Sequence, residues 1–279
     1  MKILVTGRNG QLGYDVCRIL DKRGIENHGV DIDDFDITNA NATRDYLLIN
    51  RPDAVIHCAA WTAVDKAEDE PERVMEVNAD GPRNIAAACH ELGAKMVYVS
   101  TDYVFPGIGD RFYEPDDPTG PLCVYGASKL AGEVAVRELL EQCFIVRTSW
   151  VFGKNGSNFI KTMLRLSETR DEISVVCDQI GSPTYTADLA SLLCDMIVTD
   201  RYGVYHATNE GICSWAELAT EVFKRTGKAT KVIFVPTSEY PTRAARPLNS
   251  RLSKKCLEDA GFSRLPDWKY AVKNYLMEI

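Results

Sequence analysis

Short apolar runs alternate with longer stretches of helical periodicity through the first half of the chain. The runs are rich in Val, Ile and Leu, and the stretches between them repeat apolar residues at the spacing of one helix face. This alternation is typical of βαβ units and predicts five parallel strands in a doubly wound order. We predict strands at residues 2–6, 26–30, 54–57, 96–100 and 144–147, and helices at 11–22, 40–50, 72–92 and 128–142.

The pattern changes after residue 150, where irregular segments such as 178–184 and 235–243 separate the apolar stretches. Helices are predicted at 158–169, 187–199, 215–226 and 268–277. Ligands of open α/β folds bind at the carboxyl edge of the sheet, so a lobe that covers this edge would contact them. We therefore predict an α/β fold. A Rossmann-like dinucleotide-binding domain would occupy 1–150, and a smaller substrate-binding lobe would take most of 151–279 and return some elements to the sheet.

Composition narrows the class of protein further. With 45% hydrophobic and 26% charged residues, the chain has the make-up of a soluble globular protein. The formal charge of -8 and the absence of a Lys/Arg run argue against a nucleic-acid partner. Since no apolar run reaches membrane-spanning or signal-peptide length, we expect a cytoplasmic protein with no membrane partner. The nine cysteines lack Cys-x-x-Cys spacing and are predicted to be small core residues.

Three glycines spaced by three follow the first predicted strand and lead into the first predicted helix. In dinucleotide sites such glycines allow a tight turn and a close approach of the backbone to the pyrophosphate, which the helix N-terminus also attracts. The spacing alone is a weak signal, but its place between a strand and a helix favours a cofactor loop over a purely structural turn. The predicted cofactor-binding residues of this loop are Gly7, Arg8, Asn9, Gly10, Gln11, Leu12 and Gly13.

Two residues give opposing indications about the cofactor. Asp31 follows the second strand, where a carboxylate would bind the adenosine ribose and repel a 2′-phosphate, which favours NAD. Arg8, within the glycine loop, could pair with a 2′-phosphate, which favours NADP. Asp36 and Ile37 are predicted to contact the adenine, although a helix-capping role in this segment is an alternative. Further cofactor contacts are predicted at Ala59, Ala60, Thr62, Asn78 and Ser100.

A tyrosine and a lysine one helical turn apart form the predicted catalytic pair. Tyr125 and Lys129 are separated by four residues, so their side chains face the same way. A nearby ammonium stabilises phenolate and lowers the tyrosine pKa, which would make Tyr125 a usable proton donor to a developing alkoxide. Thr101 brings a hydroxyl to the carboxyl edge of the fourth strand. We predict Thr101, Tyr125 and Lys129 as catalytic residues, with Tyr125 and Lys129 also contacting the cofactor.

Together these motifs resemble the extended short-chain dehydrogenases over essentially the whole chain. The matching segments are 7–13 (GRNGQLG), 60–68 (AWTAVDKAE), 100–105 (STDYVF), 125–133 (YGASKLAGE), 147–152 (RTSWVF) and 246–252 (RPLNSRL). The resemblance implies that Tyr125 donates the proton, that Lys129 tunes the tyrosine and anchors the ribose, and that Thr101 hydrogen-bonds the substrate carbonyl. It also implies hydride transfer from NADPH, with NADH as the alternative donor, to the C4 ketone of dTDP-4-dehydro-L-rhamnose, in rhamnose biosynthesis.

The segment after the fourth strand distinguishes reduction from dehydration. Nucleotide-sugar dehydratases that resemble this fold commonly carry an Asp-Glu pair there, whereas this chain has Asp102 followed by Tyr103. One carboxylate is missing, which argues against a dehydratase, and the resemblance implies a reductase that binds a dTDP-sugar. Trp150 is predicted to stack on the sugar, although packing within the lobe is an alternative. The predicted substrate-binding residues are Val64, Asp65, Thr101, Asp102, Tyr103, Trp150, Asn158 and Arg246.

The resemblance also bears on metal binding, on the oligomeric state and on alternative functions. Some members of the resembled family are dimers bridged by magnesium, and Asp15 and Asp188 fall at the matching positions as Asp instead of Glu. We expect both to lie on solvated helix surfaces and predict no metal site. The protein is expected to be a monomer or a homodimer. A non-catalytic NADP-binding regulatory subunit, or a reductase or epimerase of another nucleotide sugar, are the alternative functions.

Overall fold

The computed structural model describes residues 1–279. The strands are β1 (Ile3–Thr6), β2 (Asn27–Val30), β3 (Ala54–His57), β4 (Lys95–Thr101), β5 (Cys143–Thr148), β6 (Val151–Phe152), β7 (Glu172–Val176), β8 (Ile180–Gly181), β9 (Thr184–Tyr185), β10 (Gly203–His206), β11 (Cys213–Ser214), β12 (Lys231–Val235) and β13 (Asn249–Ser250). The α-helices are α1 (Gln11–Lys22), α2 (Ala40–Asn50), α3 (Val64–Ala67), α4 (Pro71–Met75), α5 (Gly81–Leu92), α6 (Val124–Leu139), α7 (Phe159–Leu166), α8 (Thr186–Ile197), α9 (Trp215–Thr226), α10 (Lys255–Asp259) and α11 (Trp268–Glu278).

The predicted doubly wound α/β fold is confirmed, with one strand more than expected. Six parallel strands lie in the order β10-β5-β4-β3-β1-β2. The prediction of five strands was wrong because β10 contributes only Val204 and Tyr205 as apolar residues, too short a run to stand out. The register aligns Thr6 with His57, and Thr101 with Thr148, so β1, β3, β4 and β5 end at the same edge of the sheet.

Helices cover both faces of this sheet and bury two apolar layers. On one face α1 and α8 contribute buried residues such as Val16 and Leu193, and on the other α5 and α6 contribute Ile85 and Val136. A third apolar cluster joins α7, α9, α11 and β7 and includes Phe152. Two smaller parallel strands, β7 and β12, pair in this region. None of the helices combines the length and the apolar composition that crossing a membrane requires.

Two predicted helices have different bounds in the structure. The single helix predicted at 72–92 is divided into α4, a π-helical turn at Glu76–Asp80 and α5. Pro82 lacks the N–H that would bond to the carbonyl of Asn78, so regular α-helical bonding is interrupted there. The helix predicted from residue 128 begins at Val124, which places Tyr125 in its first turn. Gly126 permits this early start, because any larger side chain would overlap the carbonyl oxygen of Tyr103.

Candidate active site

A cavity of about 650 Å³ opens at the carboxyl edge of the sheet. The segments after β1, β3, β4 and β5 line it, together with α6 and parts of the C-terminal half. It brings together most of the predicted site residues, namely Gly7, Gly10, Gln11, Leu12, Gly13, Asp31, Asp36, Ile37, Ala59, Ala60, Thr62, Val64, Ser100, Thr101, Asp102, Tyr103, Tyr125, Lys129, Trp150, Asn158 and Arg246. The lining leaves out four predicted residues, Arg8, Asn9, Asp65 and Asn78.

The glycine loop is tightly packed against the end of β3. Gly7 has a φ of +71°, and a Cβ atom there would lie 2.8 Å from the backbone nitrogen of Ala59. A Cβ atom on Gly13, in the first turn of α1, would overlap the carbonyl oxygen of Gly7. Only glycine fits at these two positions, and the result is a smooth backbone surface at the N-terminus of α1. Such a surface suits an anionic group such as a pyrophosphate.

Charged side chains surround the far end of this cavity. The Asp31 carboxylate accepts hydrogen bonds from the backbone N–H groups of Asn9 and Ile32, each at 2.9 Å. Arg8 donates to the carbonyl of Gly29 at 2.8 Å and lies 3.3 Å from Asp34. Asp31 therefore supports the glycine loop as well as lining the cavity, and Arg8 lies beside the cavity and outside its lining.

Arg73 also lines this end of the cavity, a position that sequence reasoning missed. Its guanidinium lies 3.7 Å from the carboxylate of Asp36 and 2.7 Å from that of Glu76. Asp36 in turn accepts hydrogen bonds from the backbone N–H and hydroxyl of Thr38, which lower its pKa. The residues around Arg73 do not indicate this contact. Only the packing of α4 in the folded chain places the arginine at the cavity.

Asn78 was predicted to contact the cofactor, but its side chain does not reach the cavity. Its amide oxygen accepts from the backbone N–H of Trp61 at 2.8 Å, and its nitrogen donates to the Trp61 carbonyl at 3.1 Å and the Ser128 hydroxyl at 3.0 Å. These bonds occupy the amide fully. Asn78 holds the segment after β3 against α6 and so supports the wall of the cavity from behind.

Tyr125, Lys129 and Thr101 converge in the middle of the cavity. The Lys129 side chain is buried, and its ammonium lies 4.1 Å from the centre of the Tyr98 ring without a hydrogen-bond acceptor or carboxylate partner within the chain. Burial lowers the pKa of Lys129 to about 7, although Glu133 acts in the opposite direction. The Tyr103 ring meets the Tyr125 ring edge-on, with the centroids 5.4 Å apart.

The pKa of Tyr125 lies above its ordinary value, whereas the sequence predicted that Lys129 would lower it. Burial raises the pKa of Tyr125 above its ordinary value, and a hydrogen bond with Thr101 only partly offsets this, with no contribution from Lys129. Burial lowers the pKa of Lys129 to about 7, so the ammonium is only partly populated at neutral pH and stabilises a phenolate less than a full charge would. At neutral pH Tyr125 is therefore a protonated phenol, the form required for donating a proton.

Behind the catalytic residues lies a buried ion pair that the sequence did not suggest. Arg147 donates to both carboxylate oxygens of Glu133, at 2.9 and 2.7 Å, and the Ser100 hydroxyl donates to one of them at 2.5 Å. These three side chains are almost completely buried. Ser100 was predicted as a cofactor contact, and it lines the cavity while its hydroxyl is used to hold Glu133.

On the opposite side of the cavity, predicted sugar-binding residues are paired with each other. Arg246 lies 2.6 Å from the carboxylate of Asp65 and donates to the Tyr103 hydroxyl at 3.3 Å. The other oxygen of Asp65 accepts from the backbone N–H of Ala244 at 3.1 Å. The network joins α3, the turn after β4 and the segment before β13. Asp65 is outside the cavity lining, but its carboxylate orients Arg246, which lines the cavity.

Asn158 was predicted to bind substrate, and in the structure its amide also forms hydrogen bonds within the chain. The oxygen caps α7 by accepting from the backbone N–H of Lys161, and the nitrogen, which has two hydrogens to donate, lies 2.9 to 3.1 Å from acceptors on Gln11, Tyr275 and the carbonyl of Gly153. Asn158 also lines the cavity. Its role in the chain is to join the glycine loop to the C-terminal lobe.

Trp150 reaches the cavity in a strained backbone conformation, with a φ of 50°. Its ring stacks on Trp215, with the centroids 3.8 Å apart and the planes 13° apart, so part of the ring predicted to stack on sugar packs within the lobe. Trp215 lines the cavity too and was missed, because it lies more than sixty residues further along the chain in α9.

Asp102, in contrast, keeps one buried carboxylate oxygen without a donor, and burial raises its pKa to about 6.

The expectation that Asp15 lies on a solvated surface was wrong. Asp15 is fully buried, where it accepts a hydrogen bond from the Thr186 hydroxyl and pairs with Arg18 at 3.0 Å. Asp188 accepts from the side-chain amide of Asn209 at 2.8 Å. Packing of α1 against α8 encloses Asp15 and supplies its partners.

Known proteins resemble this chain over its full length. A family model described as the RmlD substrate binding domain matches residues 1–279. The spore coat polysaccharide biosynthesis protein SpsK of Bacillus subtilis is 42% identical over 99% of this chain and 97% of its own. A dTDP-4-dehydrorhamnose reductase of Streptomyces griseus is 44% identical over 96% and 91%. The crystal structure of dTDP-4-dehydrorhamnose reductase from Bacillus anthracis in complex with NADP superposes with a TM-score of 0.97, at 44% identity over 100% of this chain and 99% of that one.

Proposed function

The chain belongs to the RmlD substrate binding domain family, and from this premise we propose that it reduces the C4 ketone of dTDP-4-dehydro-L-rhamnose with NADPH to give dTDP-L-rhamnose. The observation that carries the proposal is the meeting of Thr101, Tyr125 and Lys129 in one cavity with the glycine loop. A reductase needs a proton donor beside the site of hydride transfer, and this cavity supplies one.

The residues of the cavity fit a nicotinamide dinucleotide. Gly7 and Gly13 leave room for a pyrophosphate at the N-terminus of α1, and the unpartnered Lys129 ammonium is free to donate to a ribose hydroxyl. When bound, the nicotinamide supplies the hydride that reduces the ketone carbon. Asp36 and Arg73 would enclose the adenosine end.

The chain's own part in the reaction is to orient the ketone and to supply a proton. Tyr125, protonated at neutral pH, donates its phenolic proton to the oxygen of the former ketone as negative charge develops there. The Thr101 hydroxyl would position the same oxygen by a hydrogen bond. Asp102 lines the cavity, where its carboxylate could accept from a sugar hydroxyl, and Arg246 carries positive charge suited to the diphosphate.

We further propose that NADPH is preferred to NADH. The backbone N–H groups of Asn9 and Ile32 take up the Asp31 carboxylate, which reduces its need for a ribose hydroxyl as a donor. The Arg8 guanidinium lies 3.3 Å from the Asp34 carboxylate, and a 2′-phosphate could replace Asp34 as its partner. The Bacillus anthracis relative is described in complex with NADP, which agrees with this preference.

The test follows the absorbance of NADPH, and separately of NADH, with the purified protein and dTDP-4-dehydro-L-rhamnose generated in the same vessel. We expect oxidation of both cofactors, with a higher kcat/KM for NADPH. Arg8→Ala should lower kcat/KM for NADPH about tenfold, the effect of one charge-assisted contact, and should leave that for NADH nearly unchanged. Equal losses with both cofactors would contradict the role of Arg8.

Silence with both cofactors, in a protein that binds NADPH, would overturn the proposed reaction. Turnover with a different nucleotide 4-keto sugar would then indicate another substrate of the same chemistry. Failure with every such sugar would favour the non-catalytic regulatory subunit.

A further inference from the structure

The charge on Lys129 is buried beside an aromatic ring. The side chain is 3% exposed, and its ammonium lies over the face of Tyr98 at 4.1 Å from the ring centre. A cation placed over a tyrosine face is attracted by the ring quadrupole, and the attraction grows when water is excluded. Tyr98 lies on β4, outside the cavity lining, so it touches neither the substrate nor the cofactor directly.

The Tyr98 ring is held in this position from its far end. Its hydroxyl lies within hydrogen-bond distance of two backbone carbonyl oxygens, that of Asn78 at 3.2 Å and that of Lys129 at 3.1 Å. The Asn78 carbonyl is available because Pro82 has no N–H to donate to it. Gly132, one turn beyond Lys129, leaves space for the hydroxyl, since a Cβ atom there would overlap both the Tyr98 hydroxyl and the Asn78 carbonyl.

The other titratable groups around Lys129 are either paired with another side chain or neutral. On α6, both oxygens of Glu133 are bonded to Arg147 of β5, and Tyr125 is a neutral phenol. His57, at the end of β3, stays neutral because burial lowers its pKa to about 3, and its ring lies nearly parallel to Tyr98 at 5.9 Å. Burial likewise keeps the Cys58 thiol protonated by raising its pKa. The ring face is the group in direct contact with the ammonium.

We infer that Tyr98 is a positioning residue that keeps the Lys129 ammonium charged and directed into the cavity. The inference rests on the proposed function for its catalytic consequence, because Lys129 is there the anchor of the cofactor ribose. The arrangement itself is independent of any ligand. Two parts of Tyr98 have separate roles: the ring stabilises the charge, and the hydroxyl fixes the ring against the π-helical turn at Glu76–Asp80.

The experiment measures the titration of Lys129 directly in the ligand-free protein. NMR of lysine side chains labelled with ¹³C follows each ammonium with pH, and Lys129→Met identifies the Lys129 signal by its loss. Tyr98→Leu and Tyr98→Met remove the ring, the second with a more adaptable side chain in case the first variant folds poorly. Both should lower the pKa of Lys129 by about one pH unit, whereas Tyr98→Phe, which retains the ring, should largely preserve it.

Two further readouts separate positioning from general damage. Loss of the ring should weaken NADPH binding, and the loss of NADPH affinity expected as Lys129 deprotonates should move to lower pH by the same interval. Tyr205→Leu removes a buried ring from β10, outside the cavity lining, and should move neither quantity. A purely structural role for Tyr98 would lower the folded fraction without changing the titration of Lys129.

An unchanged Lys129 titration in folded Tyr98→Leu and Tyr98→Met would overturn the inference even if the wild-type protein reduces the sugar. A shifted titration in a protein without reductase turnover would support the positioning of Lys129 by Tyr98 and remove only the proposed function.

Discussion

The cofactor side and the sugar side of the cavity are built in different ways. On the cofactor side, the decisive features are backbone positions, above all Gly7 and Gly13, where a side chain would collide with neighbouring backbone. On the sugar side, they are polar side chains that are already bonded to one another, such as Asp65 with Arg246. The pyrophosphate part of the cofactor side is thus preformed by the fold, whereas at Arg8, as at Arg246 on the sugar side, a ligand must compete with existing contacts.

This difference predicts how substitutions divide between the two sides. A change at a glycine alters the shape of the backbone and should weaken cofactor binding without a compensating rearrangement. A change in a sugar-side pair should have a smaller effect, because water and the remaining partner replace part of the lost contact. Tyr125 lies between the two sides and should affect the chemical step alone.

The largest expected effect is on turnover in Tyr125→Phe. The variant removes the proton donor and keeps the ring, so kcat should fall by about 10²- to 10⁴-fold, the usual contribution of a general acid. The dissociation constant for NADPH, measured by fluorescence titration, should remain within about twofold. Near-normal turnover would show that another group donates the proton.

Gly13→Ala should most clearly break the cofactor side. Its Cβ atom would overlap the Gly7 carbonyl, so the loop must move and NADPH affinity should fall about 10- to 100-fold. Gly120→Ala provides the matched control, because a Cβ atom there meets Pro106 at an ordinary 3.6 Å. Unchanged NADPH binding in Gly13→Ala would contradict the close packing of this loop.

The two sides should also respond to opposite ends of the pH range. Lys129, with a pKa of about 7, is charged below that pH and loses its proton above it, so NADPH affinity should fall about tenfold as the pH rises from 6 to 9. Asp102, with a pKa of about 6, is ionised above that pH, so the KM for the sugar should rise as the pH falls below 6. Calorimetry of NADPH binding and initial rates measure the two effects.

Two variants serve as controls for these profiles. Lys129→Arg keeps its charge throughout this range and should flatten the alkaline loss of NADPH affinity, even if its absolute affinity differs. Asp102→Asn should flatten the acid change in KM. An NADPH affinity that stays constant from pH 6 to 9 in the unaltered protein would contradict the assignment of Lys129 to the cofactor.

Asp65→Asn is expected to have the smallest effect. The Asp65 carboxylate is partly exposed, so its pair with Arg246 is partly screened by solvent. Loss of its charge should leave Arg246 less well oriented and raise the KM for the sugar about fivefold, with NADPH binding unchanged. Glu221→Gln breaks a comparable pair with Arg225 on α9 and should leave the KM unchanged. A larger change in NADPH binding than in the KM for the sugar would contradict the assignment of Asp65 to the sugar side.

Sequence reasoning predicted the part of this molecule that depends on local patterns. Five sheet strands, the glycine loop and the Tyr125/Lys129 pair each leave a signal within a few neighbouring residues. Arg73 and Trp215 leave none, because they reach the cavity from elements that are distant in the chain. Asp15 has the sequence context of an exposed helix residue, and only the packing of α1 against α8 buries it.

The sequence also could not predict which way polar side chains point. Asn78 and Asn158 lie in segments that approach the cavity, yet the amides of both are used to join neighbouring segments. Asparagine forms such bridges as readily as it binds ligands, since it has both donor and acceptor atoms. Proximity along the chain predicted where these residues lie, and the surrounding hydrogen-bond partners determine what they do.

In the proposed reaction, NADPH transfers a hydride to the ketone carbon of a dTDP-linked 4-keto sugar, and Tyr125 supplies the proton. The most direct measurement is the reaction of dTDP-4-dehydro-L-rhamnose with NADPH deuterated at the transferable position, followed by NMR and mass spectrometry of the sugar. We expect one deuterium at C4 of dTDP-L-rhamnose, and almost no deuterated product from Tyr125→Phe. A product without deuterium at C4, or no product from a protein that binds NADPH, would contradict it.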